Sequence, residues 1–360
     1  MKLSIKKCMF CQNGYRLLSY GGISVYNFKY SSGVEALKVK TPKGGFVVLP
    51  FKGQQLWEVN FLSHNLVMNT TAKEPVKDTE YLKNYGGFLY HRGINSFGSR
   101  DEIHPQHGEI PNAEYDSAYI ITGEDEKGKF IKIGGELNYD TAFVKKYRFS
   151  PSYTLYENGT VIRIDVKLQN LKNTPMEYMY LCHINFKPID GLRLIYSVPR
   201  DKEHIKIHTA VDEKFSGGKG QKLSYFMERV KENLCVSDTI GIEGECYDPE
   251  ICYTLKYETD GLKRGYTMAY KEGFGAYYVS HPADVLPVST RWISRTKDED
   301  ALGMVLPGTA EHLGYKNAAQ KGQIKYLDGK KELNFYIEAG FLDEDEAKNR
   351  EKFINGLIKK

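Results

Sequence analysis

Residues 152–169 read SYTLYENGTVIRIDVKLQ. The central Glu157-Asn158-Gly159 is typical of a tight β-hairpin turn. From Ile162 to Leu168 every second residue is apolar and the residues between are polar, which predicts a strand with one buried face. Residues 152–156 supply its partner. The stretch therefore predicts an antiparallel hairpin.

The same alternation predicts further strands along the chain, at residues 21–29, 34–40, 45–50, 118–122, 130–137, 177–187 and 274–280. A second hairpin is expected around Asp328-Gly329, where residues 322–327 would pair with residues 332–337.

Helical signals are few. The clearest covers residues 343–359, where acidic residues lie over the amino end, and weaker candidates lie near residues 76–84 and 223–233. No linker or repeat interrupts the chain. The sequence thus predicts an all-β fold, a large antiparallel β-sandwich with a few short helices, as one domain over residues 1–360 that begins with strands in residues 1–44.

The chain has 360 residues, of which 41% are hydrophobic and 27% are charged, a composition typical of an ordinary globular protein. No apolar run is long enough to span a membrane, and the first residues lack the apolar core of a signal peptide, so a cytoplasmic location is expected. The net charge of +4 is small and scattered, which argues against a nucleic-acid partner. A monomer and a homodimer both stay open.

Two histidine-bearing segments stand out. His107-Gly108-Glu109 lies among turn-forming residues, and Gly108 would allow a close or left-handed backbone approach beside the imidazole. In residues 179–186, alternation places Leu181, His183 and Asn185 on one face of an apolar strand. The first segment alone reads as a surface turn. The second is equally compatible with a satisfied core network and with a site that faces a ligand.

Other polar residues lie near apolar strands. Glu311 and His312 follow a strand that ends at Pro307-Gly308, a position where scaffolds often hold reactive groups, although a solvated loop would look the same. Arg92 could clamp a substrate oxygen or pair with a surface carboxylate. Trp292 could stack on a sugar or pack in the core.

Taken in order, these segments resemble the galactose mutarotase-like superfamily, and most of all uncharacterised bacterial aldose 1-epimerase-like proteins of the DUF4432 type. That branch shows a His-Gly-x-Ile-x-Asn turn and a later Tyr-His-x-Asn-Phe strand. The counterparts here are His107–Asn112 and Leu181–Phe186. Leu302–Thr309 resembles the late strand and turn of the family, and Leu49–Gly53 its early turn. The resemblance spans about residues 45–342.

The resemblance implies a β-supersandwich with a sugar cleft on its concave face. It implies that His183 is the general acid and that His107 holds the sugar. The general base of the family is a glutamate immediately before the late proline, where this chain has Leu306. Glu311 is therefore the expected base, with Glu338 a more distant alternative. The expected substrate-binding residues are Arg92, Glu109, Asn112, Asn185, Trp292 and His312.

Three functions stay open at this point. The first is an aldose 1-epimerase-like isomerase that interconverts the anomers of a sugar or sugar derivative by general acid and base catalysis, without a cofactor. The second is a non-catalytic carbohydrate-binding protein, which Leu306 favours. The third is a metal-dependent sugar isomerase with His104, His107, Glu109 and His183 as ligands.

Overall fold

The computed structural model describes residues 1–208, 220–241, 247–248 and 250–358. Strands dominate this part of the chain. In order they are β1 Lys2–Ile5, β2 Tyr15–Tyr20, β3 Ile23–Lys29, β4 Glu35–Thr41, β5 Gly44–Val48, β6 Leu56–Phe61, β7 His64–Asn65, β8 Leu89–Ile94, β9 Ser117–Asp125, β10 Gly128–Thr141, β11 Lys145–Tyr156, β12 Val161–Asn170, β13 Met176–Ile184, β14 Arg193–Tyr196, β15 Ile205–His208, β16 Ile251–Leu255, β17 Arg264–Lys271, β18 Gly275–Pro282, β19 Val288–Arg295, β20 Asp300–Gly308, β21 Lys325–Leu327 and β22 Glu332–Leu342.

Helices are short in the same part of the chain: α1 Gly220–Glu232, α2 Tyr315–Gln320 and α3 Glu344–Ile358, with single 3-10 turns at Lys7–Met9, Leu82–Asn84 and Leu234–Asp238. The predicted helices at 223–233 and at the carboxyl end are confirmed, although residues 359–360 lie outside the described residues. The helix proposed for residues 76–84 is wrong, because only its last three residues form a helical turn.

Two large antiparallel sheets form the molecule. The nine-stranded sheet has the order β1-β9-β10-β11-β12-β22-β18-β17-β14, and the second runs β15-β16-β19-β20-β13-β8-β6-β5-β4-β3-β2, with β21 beside β13 and β7 beside β6. This confirms the predicted all-β sandwich with few helices.

The hairpin at Glu157-Asn158-Gly159 is confirmed. Strands β11 and β12 flank it, and Thr154 pairs with Arg163. The apolar residues from Ile162 to Leu168 are buried, and those between them are not. Period-two alternation therefore identified both the strand and its buried face.

The hairpin expected at Asp328-Gly329 is wrong. Strand β21 pairs with β13 instead, and β22 pairs with β12 and β18. The side-chain amide of Asn170 donates to the Leu327 and Asp328 carbonyl groups, which holds the turn against the end of β12. The turn therefore carries the chain from one sheet to the other.

The main core lies between the two sheets, and β8 and β13 divide their side chains between this core and the opposite face. Tyr180 and Cys182 point into the core, where the buried His91 ring bonds the Tyr180 and Tyr153 hydroxyl groups at 2.7 and 2.9 Å. Alternation then sends Arg92 and His183 to the opposite face of the larger sheet.

No helix in the described ranges is long and apolar enough to cross a membrane.

Candidate active site

A cavity of about 390 Å³ opens on the face of the larger sheet that is turned away from the core. Residues of five strands, β8, β13, β16, β19 and β20, line it together with the loops before and after β8. Five of the residues singled out in the sequence line it: Arg92, His107, His183, Trp292 and His312. The fold thus brings both histidine segments to one place, with ring centroids 6.3 Å apart.

His183 is held by a short polar network. Its Nδ1 lies 3.4 Å from the Tyr85 hydroxyl, which donates to the side-chain oxygen of Asn185 at 3.0 Å. The Asn185 amide donates in turn to the Gly87 carbonyl at 3.0 Å. Asn185 is fully buried and does not line the cavity. It therefore orients Tyr85 beside the imidazole.

His107 sits in a left-handed turn, with φ of 63°, followed by Gly108 with φ of 83°. A Cβ on Gly108 would lie 2.2 Å from the carbonyl oxygens of Gly93 and Ser96, so the turn needs glycine there. The Gly93 amide donates to the His107 carbonyl, which docks the turn onto β8. The close approach expected of Gly108 is confirmed.

Arg92 lies between this turn and two tyrosines. Its Nη1 is 2.8 Å from the His107 ring nitrogens, and its guanidinium carbon is 4.7 Å from the centre of the Tyr81 ring and 5.8 Å from that of Tyr85. The Gly98 amide donates to His107 Nδ1 at 3.1 Å. Because His107 Nδ1 accepts these bonds, the imidazole is neutral here.

Trp292 and Glu250 also line the cavity. The indole nitrogen donates to Glu250 Oε2 at 2.6 Å, and the indole ring lies 5.2 Å from the His183 ring. Glu250 precedes β16 and lines the cavity. A carboxylate thus stands on the same cavity as the two imidazoles.

Glu311 is not among the residues that line this cavity. Its carboxylate accepts from Lys321 at 2.7 Å and from Lys206 at 3.1 Å. Burial alone would raise the pKa of Glu311, but these two lysines hold it below the ordinary value. Glu338 lies on β22 of the other sheet and accepts from Ser280. Leu306 does line the cavity, at the place that the resemblance gives to the base.

Glu109 and Asn112 are engaged in local structure. Glu109 Oε1 accepts the Ile94 and Asn95 amides and the Tyr147 hydroxyl. Asn112 exchanges hydrogen bonds with Gln55, Asn84 and the backbone of residues 79–80. Both line a groove of about 1160 Å³ that adjoins the cavity and shares Tyr81 and Glu250 with it.

Burial disfavours the charged forms of the basic groups in the cavity. Burial, and then the Arg92 charge, hold the pKa of His183 and of His107 well below the usual value. Burial likewise lowers the pKa of His312 to about 4 and holds the pKa of Arg92 below its ordinary range. Asp248, Glu250, Glu299 and Asp300 also line the cavity. Glu250 acts on the Arg92 charge, but no carboxylate of the described residues is within ion-pair distance of Arg92.

The four residues considered as metal ligands have other partners. The His104 ring contacts Asp101 at 3.0 Å and stacks on Tyr315, and Glu109 accepts backbone amides. Within the described part of the chain, no group of three or more histidine, cysteine or acidic side chains is arranged to hold a metal ion.

Sequence reasoning missed Tyr81, Tyr85 and Glu250. Glu250 carried a usable signal, because it stands with Asp248 directly before an apolar strand, as Glu311 stands directly after one. Tyr81 and Tyr85 carried none, since 27 tyrosines are spread along the chain and strand propensity explains most of them.

Comparisons with known proteins agree with this architecture. Residues 31–189 match the model of a domain of unknown function, DUF4432. No curated protein matches the chain in sequence. Among solved structures, a candidate aldose 1-epimerase from Klebsiella pneumoniae is similar with a TM-score of 0.79 at 14% identity, over 96% of this chain and 92% of that one.

A galactose mutarotase-like protein from Clostridium acetobutylicum gives a TM-score of 0.58 at 11% identity, covering 90% of this chain and 100% of its own. Another, from Lactobacillus casei, gives 0.53 at 11% identity, covering 85% and 99%. The chain therefore has the galactose mutarotase-like fold, and its residues 31–189 carry the DUF4432 pattern, whose function is unknown.

Proposed function

We propose that the protein interconverts the anomers of a sugar or sugar derivative in the cavity that holds His107 and His183. The site expected from the sequence, the acid–base chemistry of the cavity walls and the fold of the similar structures support this proposal. In this proposal the ligand of the cavity is a small carbohydrate. The proposal also includes the cytoplasmic location expected from the sequence.

One observation carries most weight. Four side chains that line the cavity each have a buried polar atom without a hydrogen-bond partner in the described structure: Tyr81 Oη, Arg92 Nε, Thr290 Oγ1 and His312 Nδ1. Buried polar atoms nearly always have partners in folded proteins. A polyhydroxylated ligand offers many donors and acceptors at once, and a cavity of about 390 Å³ is large enough for one sugar ring.

The reaction needs a base at the C1 hydroxyl and an acid at the ring oxygen. In the proposal Glu250 removes the C1 hydroxyl proton while His183, in its protonated form, gives its proton to the ring oxygen, and both protons return when the ring closes. Because burial and then the Arg92 charge lower the pKa of His183, the reactive enzyme is the fraction in which this imidazole is protonated. The ring opens to the aldehyde, the C1–C2 bond rotates, and the ring closes on its other face. Tyr85 and Asn185 orient His183, and Arg92 and His107 hold the sugar. Each positioned acid or base contributes about 10²–10⁴ in rate.

Glu250 is preferred as the base because it lines the same cavity as His183. The Trp292 indole fixes its position through a hydrogen bond of 2.6 Å. Glu311, the base expected from the sequence, stays the alternative. It would have to exchange its contacts with Lys206 and Lys321 for the sugar.

A second candidate is a sugar-binding protein without turnover, and Leu306 favours it. This side chain lines the cavity and packs against Phe97, Met179 and Leu181, where the resemblance expects a glutamate. If Glu250 does not act as a base, the cavity would bind sugar without accelerating ring opening.

Polarimetry of freshly dissolved pure anomers tests the proposal. We expect accelerated equilibration for at least one sugar, a loss of about a hundredfold or more in Glu250→Gln, and an unchanged rate in the matched Glu311→Gln. The reverse pattern of the two variants would assign the base to Glu311. Sugar binding by calorimetry without any acceleration would select the second candidate.

A further inference from the structure

The structure buries three arginines among the described residues, and Arg92 differs from the other two. Arg291 and Arg264, 1% and 5% exposed, lie 3.8 Å from carboxylate oxygens of Asp238 and Glu338 respectively. Arg92 is 3% exposed, yet no carboxylate of the described residues is within ion-pair distance. Removing a guanidinium from water without a counter-charge is costly.

The neighbours of Arg92 do not neutralise it. The faces of Tyr81 and Tyr85 offer only a partial attraction to the cation. His107 is neutral. Glu250 lines the same cavity and attracts the Arg92 charge, but its carboxylate is hydrogen bonded to Trp292 and is not in ion-pair contact with Arg92. The folded protein therefore holds the Arg92 guanidinium at the wall of its cavity without a contact ion pair among the described residues.

The free part of the guanidinium suits an oxyanion. Nη1 is engaged with His107, whereas Nε has no partner among the described residues. Nε and Nη2 form the side edge of a guanidinium, the edge that binds carboxylate, sulfonate or phosphate oxygens in pairs.

We infer that the sugar accepted by this cavity carries an anionic substituent, a carboxylate, sulfonate or phosphate, and that Arg92 binds it. This inference rests on the proposed function and narrows its substrate class. A neutral hydroxyl group would satisfy a hydrogen bond but would leave the buried charge unmatched. An anion beside Arg92 would also offset the repulsion that, after burial, lowers the pKa of His183.

Matched pairs of sugars test the inference through anomer exchange: glucose against glucuronate, glucose 6-phosphate and 6-deoxy-6-sulfoglucose, and galactose against galacturonate. We expect kcat/KM for at least one anionic sugar to exceed that of its neutral parent by about tenfold or more. Arg92→Met should abolish this preference. Arg100→Met, which removes an exposed charge from the adjoining groove, should keep it.

Calorimetry with methyl glycosides and methyl glycosiduronates gives an independent measurement, because these compounds bind but cannot open their rings. If the wild type binds an anionic glycoside more tightly than its neutral counterpart and Arg92→Met does not, the result supports the inference. This holds even if no sugar is turned over. The absence of turnover would overturn the proposed function alone. Turnover or binding without preference for any anionic sugar, or a preference that persists in Arg92→Met, overturns the inference and leaves the proposed function standing.

Discussion

Arg92 has a consequence for stability as well as for binding. A buried cation without a counter-charge costs folding free energy, whereas a buried ion pair that loses one partner leaves a charge stranded. Arg92 and Arg291 represent these two cases within one protein, because Arg291 has Asp238 beside it. The two residues are nearly equally buried, so their replacement separates the effect of pairing from that of packing.

We therefore expect Arg92→Met to change the free energy of unfolding by no more than about 1 kcal/mol, or to increase it. Arg291→Met should cost more, up to about 3 kcal/mol, because Asp238 loses its fully buried arginine partner and keeps only Arg200 and the Tyr196 hydroxyl among the described residues. Urea unfolding followed by circular dichroism measures both. A loss in Arg92→Met as large as that in Arg291→Met would mean that Arg92 is a structural residue.

The sequence could identify individual site residues only where a residue type is unusual for its setting. A histidine in an apolar strand and a histidine in a glycine turn are such cases, and His183 and His107 do line one cavity. Tyr85 reaches that cavity through the path of a loop, which no local pattern encodes, whereas Glu250 directly precedes the apolar strand β16 and could have been found. Leu306 lines the cavity, and which carboxylate acts in place of the glutamate expected there depends on tertiary contacts.

At the scale of elements, the turn after β8 positions His107 and Arg92 together. Glu109 holds this turn by accepting the amides of Ile94 and Asn95. Burial raises the pKa of the Glu109 carboxyl, and the Tyr147 hydroxyl bond opposes that rise. The contacts suggest support of the turn, whereas the sequence led us to expect a contact with substrate.

Two substitutions at Glu109 distinguish these roles. Glu109→Ala leaves two backbone amides unpaired and should lower the free energy of unfolding by about 2–4 kcal/mol. Glu109→Gln keeps a side-chain oxygen that can accept hydrogen bonds from the two amides, so it should lower the free energy of unfolding less. Thermal and urea unfolding provide the measurement. Wild-type stability in Glu109→Ala, combined with weaker sugar binding, would instead support direct contact with the substrate.

Strands were easier to predict than helices or connections. The alternation in β12 reports burial on one face, which any half-buried strand must show. The Asp328-Gly329 turn resembles a hairpin turn locally, but its flanking segments pair with different strands. Helix α2, Tyr315–Gln320, is too short to leave a periodic signal.

At the scale of the whole molecule, histidines buried between the sheets link stability to pH. Burial lowers the pKa of His91 to about 3 and that of His281 to about 3. The unfolded chain binds a proton at each of these residues below about pH 6.5, and the folded chain does not. Unfolding therefore takes up protons in this window, so stability rises with pH and is lost as the pH falls below 6.5.

Each such histidine contributes a slope of about 1.4 kcal/mol per pH unit between these limits. We expect His91→Gln to reduce the slope of unfolding free energy between pH 6 and pH 5 by about 1 kcal/mol. Urea unfolding of the wild type and of His91→Gln at pH 5 and pH 6 provides the test. Between pH 7 and pH 8 the two proteins should show the same slope. An unchanged slope would show that His91 binds a proton in the folded state.

The overall architecture could be predicted from the sequence because many weak strand signals and the order of several motifs agree. The two-sheet sandwich is confirmed, but its description as one domain over residues 1–360 stays a prediction. The location of a single cavity could not be predicted from any one segment, because five elements distant in sequence contribute to it.

Exchange of magnetisation between the anomeric protons of a sugar, followed by NMR at equilibrium, is the most direct test of the account. With the wild-type protein we expect exchange for at least one sugar of the anionic panel to exceed the uncatalysed rate. In His183→Gln it should fall by about a hundredfold or more. Undiminished exchange in His183→Gln, with the folded structure intact, would contradict the claim that this imidazole carries the proton to the sugar ring.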